Sequence, residues 1–179
     1  EEMFTKIVEN RSVRDKDARD TAKIVGLAAI KYGDLSNQAT KDYIFDVDRF
    51  TSFEGNTGPY ILYTIVRIKS ILNRYVEAGG NLEAGEILPA SNGSEKNLML
   101  QLSGFGSMIE SAFEEKAPHK ICAYIYEVSN AFNSFYHETK ILSEENQAQK
   151  ESYIRLLQLT KRVLETSIDL LGFEAPDKM

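Results

Sequence analysis

The sequence is poor in the residues that build covalent or metal-held frameworks, with one cysteine and two histidines among its 179 residues. Cys122 alone cannot form an internal disulfide, and we interpret it as a small core residue in a reduced compartment. His119 and His137 lack the clustered partners that a triad or a metal site requires. The sequence therefore predicts no catalytic residue and no metal ligand.

Long hydrophobic runs are also missing. No run of eighteen or more apolar residues occurs, and no basic segment followed by a hydrophobic stretch stands at the start. These absences argue against a transmembrane helix and a secretory leader. The chain is expected to be soluble and cytoplasmic, without membrane contact.

Charge limits the class of partner. With 21 basic and 27 acidic residues the formal net charge is −6, which argues against a protein that coats nucleic acid nonspecifically through a broad positive field. A local site is not excluded, because the segment 59–76 contains Arg67, Lys69 and Arg74 and no acidic residue. This segment is therefore locally positive inside an acidic protein, as a local nucleic-acid site requires.

Two loop motifs resemble ligand-binding loops and fail on spacing. Asp46-Val-Asp48 opens like a calcium loop, but Phe50 occupies the third ligand position and the glycine is misplaced. The segment 55–58 lacks the lysine and the spacing of a phosphate-binding P-loop. No cofactor is predicted for this chain.

Apolar residues at helical spacing predict a mainly α-helical protein. A first helix is expected over 21–32, with a stop at Gly33-Asp34. Residues 42–48 alternate apolar and polar side chains, which indicates a short strand or an ordered loop. The segment 1–50 is thus expected to be a short helical and extended connection.

From residue 59 onward the pattern predicts a bundle of about four helices. Thr57 or Gly58 is expected to cap the first of them. The loop over 78–94 is rich in turn formers and is expected to be mobile. Gly104 and Gly106 interrupt the second helix and suggest close packing against a neighbour. The four helices are predicted to start near Pro59, Glu95, Pro118 and Ser143, and the last to stop at Gly172 before Pro176.

The helix that begins near Pro59 has two chemically different faces. At about 100° per residue, the apolar stripe contains Ile61, Ile65, Ile68, Leu72, Tyr75 and Val76. The opposite stripe spans about 80° and carries Tyr60, Tyr63, Arg67, Ser70 and Arg74. Splayed RNA bases stack on aromatic rings and guanidinium planes, and nearby cations bind phosphates. Periodicity alone favours a solvated helix face with incidental tyrosines, although the composition suits an RNA loop.

Motifs along essentially the whole chain resemble the C-terminal region of arginyl-tRNA synthetases. The most specific is Phe53-Glu-Gly-Asn-Thr-Gly-Pro-Tyr60-Ile-Leu-Tyr63, which resembles the start of their anticodon-binding domain. Others follow in the family's order: 25–36, 42–48, Pro118-His119, Tyr124, Phe132, Phe135-Tyr136, Arg155-Leu156 and 170–179. The sequence departs from the family at Leu62, often glutamine, and at Thr64-Ile-Val66, which replaces a segment containing histidine. Both departures lie off the outer stripe or at its margin.

The resemblance implies which residues bind RNA. In the family the bundle grips the anticodon loop, and the matching positions are Tyr63, Arg67, Tyr136 and Met179. Tyr60 and Arg74 join them as further tRNA-binding candidates on the outer stripe of the first helix. Two alternatives stay open: Tyr136 as an interfacial tyrosine of the bundle, and Met179 as part of a frayed tail.

The resemblance also implies a domain organisation, with the end of a catalytic region over 1–50 and a DALR-type helical anticodon-binding domain over 51–179. The opening 1–20 is dense in charge and lacks an initiator methionine, which suggests a piece of a longer protein. The parent is implied to be a monomeric arginine-tRNA ligase of protein biosynthesis that uses ATP with magnesium. This chain contains neither the HIGH nor the KMSKS-type element of class I synthetases and is expected to be inactive alone.

The expected partners are tRNA(Arg) and the rest of the synthetase chain. The alternative function is a helical protein-interaction module without an RNA role. In that case Tyr60, Tyr63 and Arg67 would form a hot spot for another protein.

Overall fold

The computed structural model describes Met3, Thr5 and residues 15–179. This part of the chain is helical and contains no strand, so the mainly α-helical class is confirmed. Residues 15–179 form seven helices: α1 (Asp15–Leu35), α2 (Val47–Phe50), α3 (Gly58–Glu77), α4 (Gly93–Ser103), α5 (Phe105–Glu114), α6 (Pro118–Glu138) and α7 (Gln147–Leu170).

The segment before α2 is an ordered loop rather than a strand. The Asp46 carboxylate accepts a hydrogen bond from the Arg49 backbone N–H at 3.1 Å and thereby starts a helical turn. Phe50, at the end of this turn, is buried and meets the Phe45 ring edge-on at 4.9 Å between centroids. Local capping by an aspartate therefore outweighs the alternating pattern.

Helix α3 begins where the sequence predicts. Thr57 is the N-cap, and its hydroxyl oxygen accepts from the Tyr60 backbone N–H at 3.3 Å. Pro59 lies in the first turn, where its missing N–H costs nothing. A Cβ on Gly58 would clash with the carbonyl oxygen of Ala28, so this glycine allows α1 and α3 to approach closely.

The predicted second helix is two helices separated at Gly104. Helix α4 starts at Gly93, because the Asn92 side chain accepts from the Glu95 backbone N–H at 2.8 Å. Gly104 has φ −79° and ψ −3°, outside ideal helix geometry, and α5 starts after it. The close packing expected of Gly106 is wrong, since a Cβ there would meet nothing within 4 Å.

The last helix begins later than predicted. Ser143 lies in a turn, and Asn146 caps α7 by accepting from the Gln149 backbone N–H at 3.1 Å. The Glu144 carboxylate accepts from the Asn146 backbone N–H at 3.0 Å and supports the same turn. Asparagine caps a helix as well as serine does, and the buried Ile141 holds the preceding turn.

One hydrophobic core joins α1, α3, α6 and α7. Its fully buried members include Val25, Tyr32, Ile61, Ile65, Phe132, Phe135, Leu157 and Leu164. Val76 was predicted in the apolar stripe and is instead 48 % exposed, because it lies in the last turn of α3. The domain boundary after residue 50 stays a prediction, and α1, which precedes it, packs into the common core.

Within residues 15–179 no helix is both long enough and apolar enough to cross a bilayer. In the same part, histidine, cysteine and carboxylate side chains do not gather into a metal-binding group. Cys122 is fully buried, and burial raises the pKa of its thiol to about 12. This agrees with a structural cysteine.

Candidate nucleic-acid interface

The outer stripe of α3 is held against α6 through Tyr60. The Tyr60 hydroxyl donates to Asn130 Oδ1 at 2.7 Å and accepts from Asn133 Nδ2 at 2.9 Å. Its ring lies 5.7 Å from that of Tyr126 between centroids. Burial raises the pKa of Tyr60 above its ordinary value. Tyr60 is thus half-buried, and its polar end is already bonded within the protein.

Arg67 lies within stacking distance of two tyrosine rings. Its Cζ is 4.7 Å from the ring centroid of Tyr63 and 5.2 Å from that of Tyr136. Such contacts between a guanidinium and aromatic faces are attractive. We call these three residues the aromatic–arginine cluster. Two of its members come from α3 and one from α6, so helix packing assembles it.

Asn133 fixes the orientation of the cluster. Its Oδ1 accepts from Arg67 Nη1 at 2.7 Å, while its Nδ2 donates to the Tyr60 hydroxyl. The polar partner of the Arg67 side chain is therefore a neutral amide. In the described part of the chain no carboxylate pairs with this guanidinium, so its positive charge stays available to an anion.

The cluster faces solvent although it rests on the core. Tyr63 is 42 % exposed and Tyr136 is 37 % exposed. The Tyr136 ring stacks on the buried Phe132 ring at 6.1 Å with an interplanar angle of 28°. Tyr136 is thus interfacial on one side and accessible on the other, and its role in RNA binding stays a prediction.

The last residues fold back onto the bundle. Gly172, with φ +79°, turns the chain after α7, and the Lys31 ammonium donates to its carbonyl oxygen. Phe173 is buried, and the Met179 side chain packs against the core. The tail is therefore docked on the bundle rather than frayed.

Lys69 of α3 fastens this tail. Its Nζ donates to the carbonyl oxygens of Ala175 at 3.4 Å and Pro176 at 3.3 Å. The same ammonium lies 3.5 Å from carboxylate oxygens of Asp177 and Glu165. A lysine in the centre of α3 thus fixes where the chain terminus lies.

The tail and α6 border the outer stripe of α3 on opposite sides. Lys69 points to the tail and Arg67 to α6, and these directions differ by about 160° around the helix. Tyr63 and Ser70 lie between them, on the arc away from the core, and both are exposed. The outer stripe of α3 therefore lies between α6 on one side and the C-terminal tail on the other.

The structure brings together Tyr60, Tyr63, Arg67 and Tyr136. Met179 lies instead on the tail, packed against the core, and Arg74 lies further along α3. Sequence reasoning missed Asn130 and Asn133, and it counted Lys69 as a local cation without its contact to the tail. The two asparagines had a usable signal, because they precede Tyr136 at intervals of three residues along α6. The tail contact of Lys69 had none, since Ala175 lies 106 residues away.

Comparison with known proteins places this surface in a family context. Residues 61–179 match the family model of the DALR anticodon binding domain. Among curated relatives, the arginine–tRNA ligase of Agathobacter rectalis is 65% identical and that of Alkaliphilus oremlandii 52% identical. The matches cover 100% and 99% of this chain but 31% and 30% of the relatives. The chain therefore spans about 30% of the length of these proteins.

Solved structures agree with the sequence relatives. The Thermus thermophilus arginyl-tRNA synthetase matches with a TM-score of 0.89 at 28% identity, over 99% of this chain and 30% of that one. The Plasmodium falciparum arginyl-tRNA synthetase matches with a TM-score of 0.80 at 29% identity, over 91% of this chain and 28% of that one. The helical arrangement described above is thus shared with known synthetase structures.

Proposed function

Since this chain belongs to the DALR anticodon binding domain family, we propose that its α3–α6 surface binds the anticodon loop of tRNA(Arg). The longer protein is proposed to be a cytoplasmic, monomeric arginine-tRNA ligase that joins arginine to its tRNA at the expense of ATP. This chain would hold the anticodon loop so that the distant acceptor end reaches the active site.

The observation that carries this proposal is the aromatic–arginine cluster. Tyr63 and Tyr136 each offer exposed ring surface for stacking, and Arg67 keeps a charge that no carboxylate of the described residues neutralises. Asn133 orders the guanidinium before RNA arrives, which lowers the entropy lost on binding. A base stacked on either ring would place its phosphate near a fixed cation.

The other candidate residues take distinct roles in the same site. Tyr60 is proposed to position Asn133, because its hydroxyl is bonded within the protein. Arg74 is proposed to bind a phosphate further along the strand. Met179 would bring a terminal carboxylate that accepts hydrogen bonds from base amino groups.

The ATP and magnesium of the reaction are proposed to bind elsewhere in the longer protein. The only loop here that resembles a phosphate loop precedes α3, and Gly58 in it packs against the carbonyl oxygen of Ala28. That segment also lacks the lysine and the spacing of a P-loop. The chain alone is therefore expected to form no arginyl-adenylate.

The segment before α3 is proposed to contact the rest of the synthetase chain. Ile44 is 86 % exposed, and Tyr43, Phe45 and Val47 beside it are exposed as well. A run of accessible apolar side chains is typical of a surface that another part of a protein covers. This supports the proposed division between a catalytic region that ends near residue 50 and a tRNA-binding domain over 51–179.

The proposal is tested by the affinity of the 179-residue chain for tRNA(Arg). Tyr63→Ala and Tyr136→Ala should each weaken binding by about 1–3 kcal/mol, the range for loss of one base stack. Tyr43→Ala is the matched control, because Tyr43 is similarly exposed at 39 % but lies before α3. If the unmodified 179-residue chain does not bind tRNA, or if the three variants bind tRNA equally well, the protein-interaction alternative replaces this proposal.

A further inference from the structure

A cavity of about 260 Å³ opens at the end of α3, where that helix meets the start of α7. Arg74 and Tyr75 line it from α3, Gly79 and Gly80 from the turn that follows, and Leu142 and Lys150 from the α6–α7 loop and α7. Arg74 also belongs to the outer stripe of α3. The cavity therefore shares Arg74 with the surface proposed to bind RNA.

The turn after α3 gives this cavity a fixed backbone wall. Gly79, with φ +85°, donates from its N–H to the Val76 carbonyl at 2.9 Å, and the Gly80 N–H donates to the Tyr75 carbonyl at 2.9 Å. This pair of bonds is the Schellman arrangement that ends a helix. A Cβ on Gly80 would clash with the Tyr75 ring. Glycine at position 80 thus allows the turn to pack against Tyr75, which also lines the cavity.

The charges that line the cavity have one sign. Arg74 and Lys150 are its charged residues, and no carboxylate lines it. Neither side chain has a hydrogen bond or an ion pair within the described residues. The nearby Glu151 does not line the cavity, and its Oε1 accepts from Gln147 Nε2 at 2.8 Å. In a protein of net charge −6, two such cations favour an anion at this place.

The two helix ends act on an anion in opposite directions. The first turn of α7, which contains Lys150, adds the positive end of a helix dipole. The carbonyl groups at the end of α3 would repel an anion, but those of Tyr75 and Val76 are already bonded in the cap. The two cations therefore determine the sign of the ligand.

We propose that this cavity is a second RNA subsite, which binds a backbone phosphate between Arg74 and Lys150. The proposal rests on the proposed function. Arg74 follows Arg67 by two turns on the same side of α3, about 11 Å along the helix. An RNA strand that stacks on the aromatic–arginine cluster reaches the cavity within a few nucleotides, and Leu142, which is 38 % exposed, covers its ribose or base.

The salt dependence of tRNA(Arg) binding to the 179-residue chain tests the subsite. Loss of one phosphate contact lowers the slope of log affinity against log salt concentration by about 0.7 for single-stranded RNA. The Lys150→Met variant should show this decrease. The Lys150→Arg variant should have the same slope as the unmodified 179-residue chain, because it keeps the positive charge. The decrease should be the same for a tRNA with a changed anticodon, because a phosphate contact does not read the base.

Lys161→Met is the matched control, since Lys161 lies on the same helix but is paired with Glu165 at 3.7 Å. The slope for the Lys161→Met variant should equal that for the unmodified 179-residue chain. If Lys150→Met behaves like Lys161→Met while Tyr63→Ala still weakens binding, the second subsite is overturned and the proposed function stands. If the unmodified 179-residue chain does not bind tRNA at all, both the proposed function and the second subsite fail.

Discussion

A cleft of about 950 Å³ lies between α3, the loop after it and α7, and its charges are arranged differently from those of the α3–α6 surface. Three cations and three carboxylates line it: Arg155, Lys161, Arg162, Glu83, Glu86 and Glu165. Arg155 lies 3.7 Å from Glu83, and Lys161 lies 3.7 Å from Glu165. The aromatic–arginine cluster instead has a cation whose partner is neutral.

The difference shows that the proposed RNA site does not coincide with the larger cavity volume. The cleft is more than three times the size of the cavity beside Arg74, yet its lining contains no aromatic ring and its charges balance. A phosphate that entered it would have to displace carboxylates from their partners. Stacking surface and uncompensated positive charge occur together on the α3–α6 side, so RNA is expected there.

The largest expected effect is on the free energy of unfolding, and it distinguishes a core residue beneath the aromatic–arginine cluster from a residue of the cluster. Phe132→Ala should destabilise the fold by about 3–5 kcal/mol, because the ring is fully buried and its loss leaves a cavity. Tyr63→Ala should cost less than about 1 kcal/mol, since its side chain is exposed. Unfolding in urea measures both. A similar loss in the two variants would mean that Tyr63 is structural and that the cluster is not an independent surface.

The next largest effect is expected on tRNA affinity, when two side-chain amides that each accept a hydrogen bond from an arginine are removed in turn. Asn133 accepts from Arg67 in the cluster, and Gln158 accepts from Arg155 in the cleft at 3.4 Å. Asn133→Ala should weaken tRNA binding by about 1.5 kcal/mol, the low end for hydrogen bonds to charged groups. Gln158→Ala should leave affinity unchanged. Equal affinities for the two variants in a titration would remove the reason for distinguishing the surfaces.

A moderate effect is expected at the wall formed by the tail. Lys69→Met removes the ammonium that bonds Ala175 and Pro176, so the last residues should exchange their amide hydrogens faster than in the parent chain. Helix content should not change. Hydrogen exchange followed by mass spectrometry gives the rate. Unaltered protection of 173–179 would show that Phe173 alone holds the tail.

Deletion of Lys178 and Met179 tests whether the docked tail contributes to binding. The truncated chain should bind tRNA more weakly, and the loss should persist at moderate salt because a terminal side chain and carboxylate act at short range. A lost phosphate contact would instead matter less as salt rises. Unchanged affinity after truncation would leave Met179 without a role in RNA binding.

The smallest effect is expected in the cleft. Arg155→Ala breaks the pair with Glu83, whose side chain is 84% exposed, so the loss of stability should stay within about 1 kcal/mol. Its affinity for tRNA should equal that of the parent chain. A marked loss of affinity would show that the cleft takes part in binding in spite of its balanced charges.

Features set by near neighbours along the chain could be predicted from the sequence. Thr57 and Pro59 mark the start of α3, and the spacing of Ile61, Ile65 and Ile68 identifies its buried side. Where two local signals compete, near neighbours along the chain do not decide between them. Ser143 was expected to cap the last helix, but Asn146, an equally good cap, starts α7 instead.

The sequence by itself determined that α3 has a buried stripe and an outer stripe of tyrosines and arginines, because helical periodicity depends only on local spacing. Tertiary structure alone decided what those residues contact. Arg67 meets Asn133 across 66 residues of sequence, and Lys69 meets Ala175 across 106. Such contacts depend on which helices pack together and in what register. Periodicity within one helix carries no information about that register, so the order of the cluster, the docked tail and the Arg74–Lys150 cavity emerged only from the fold.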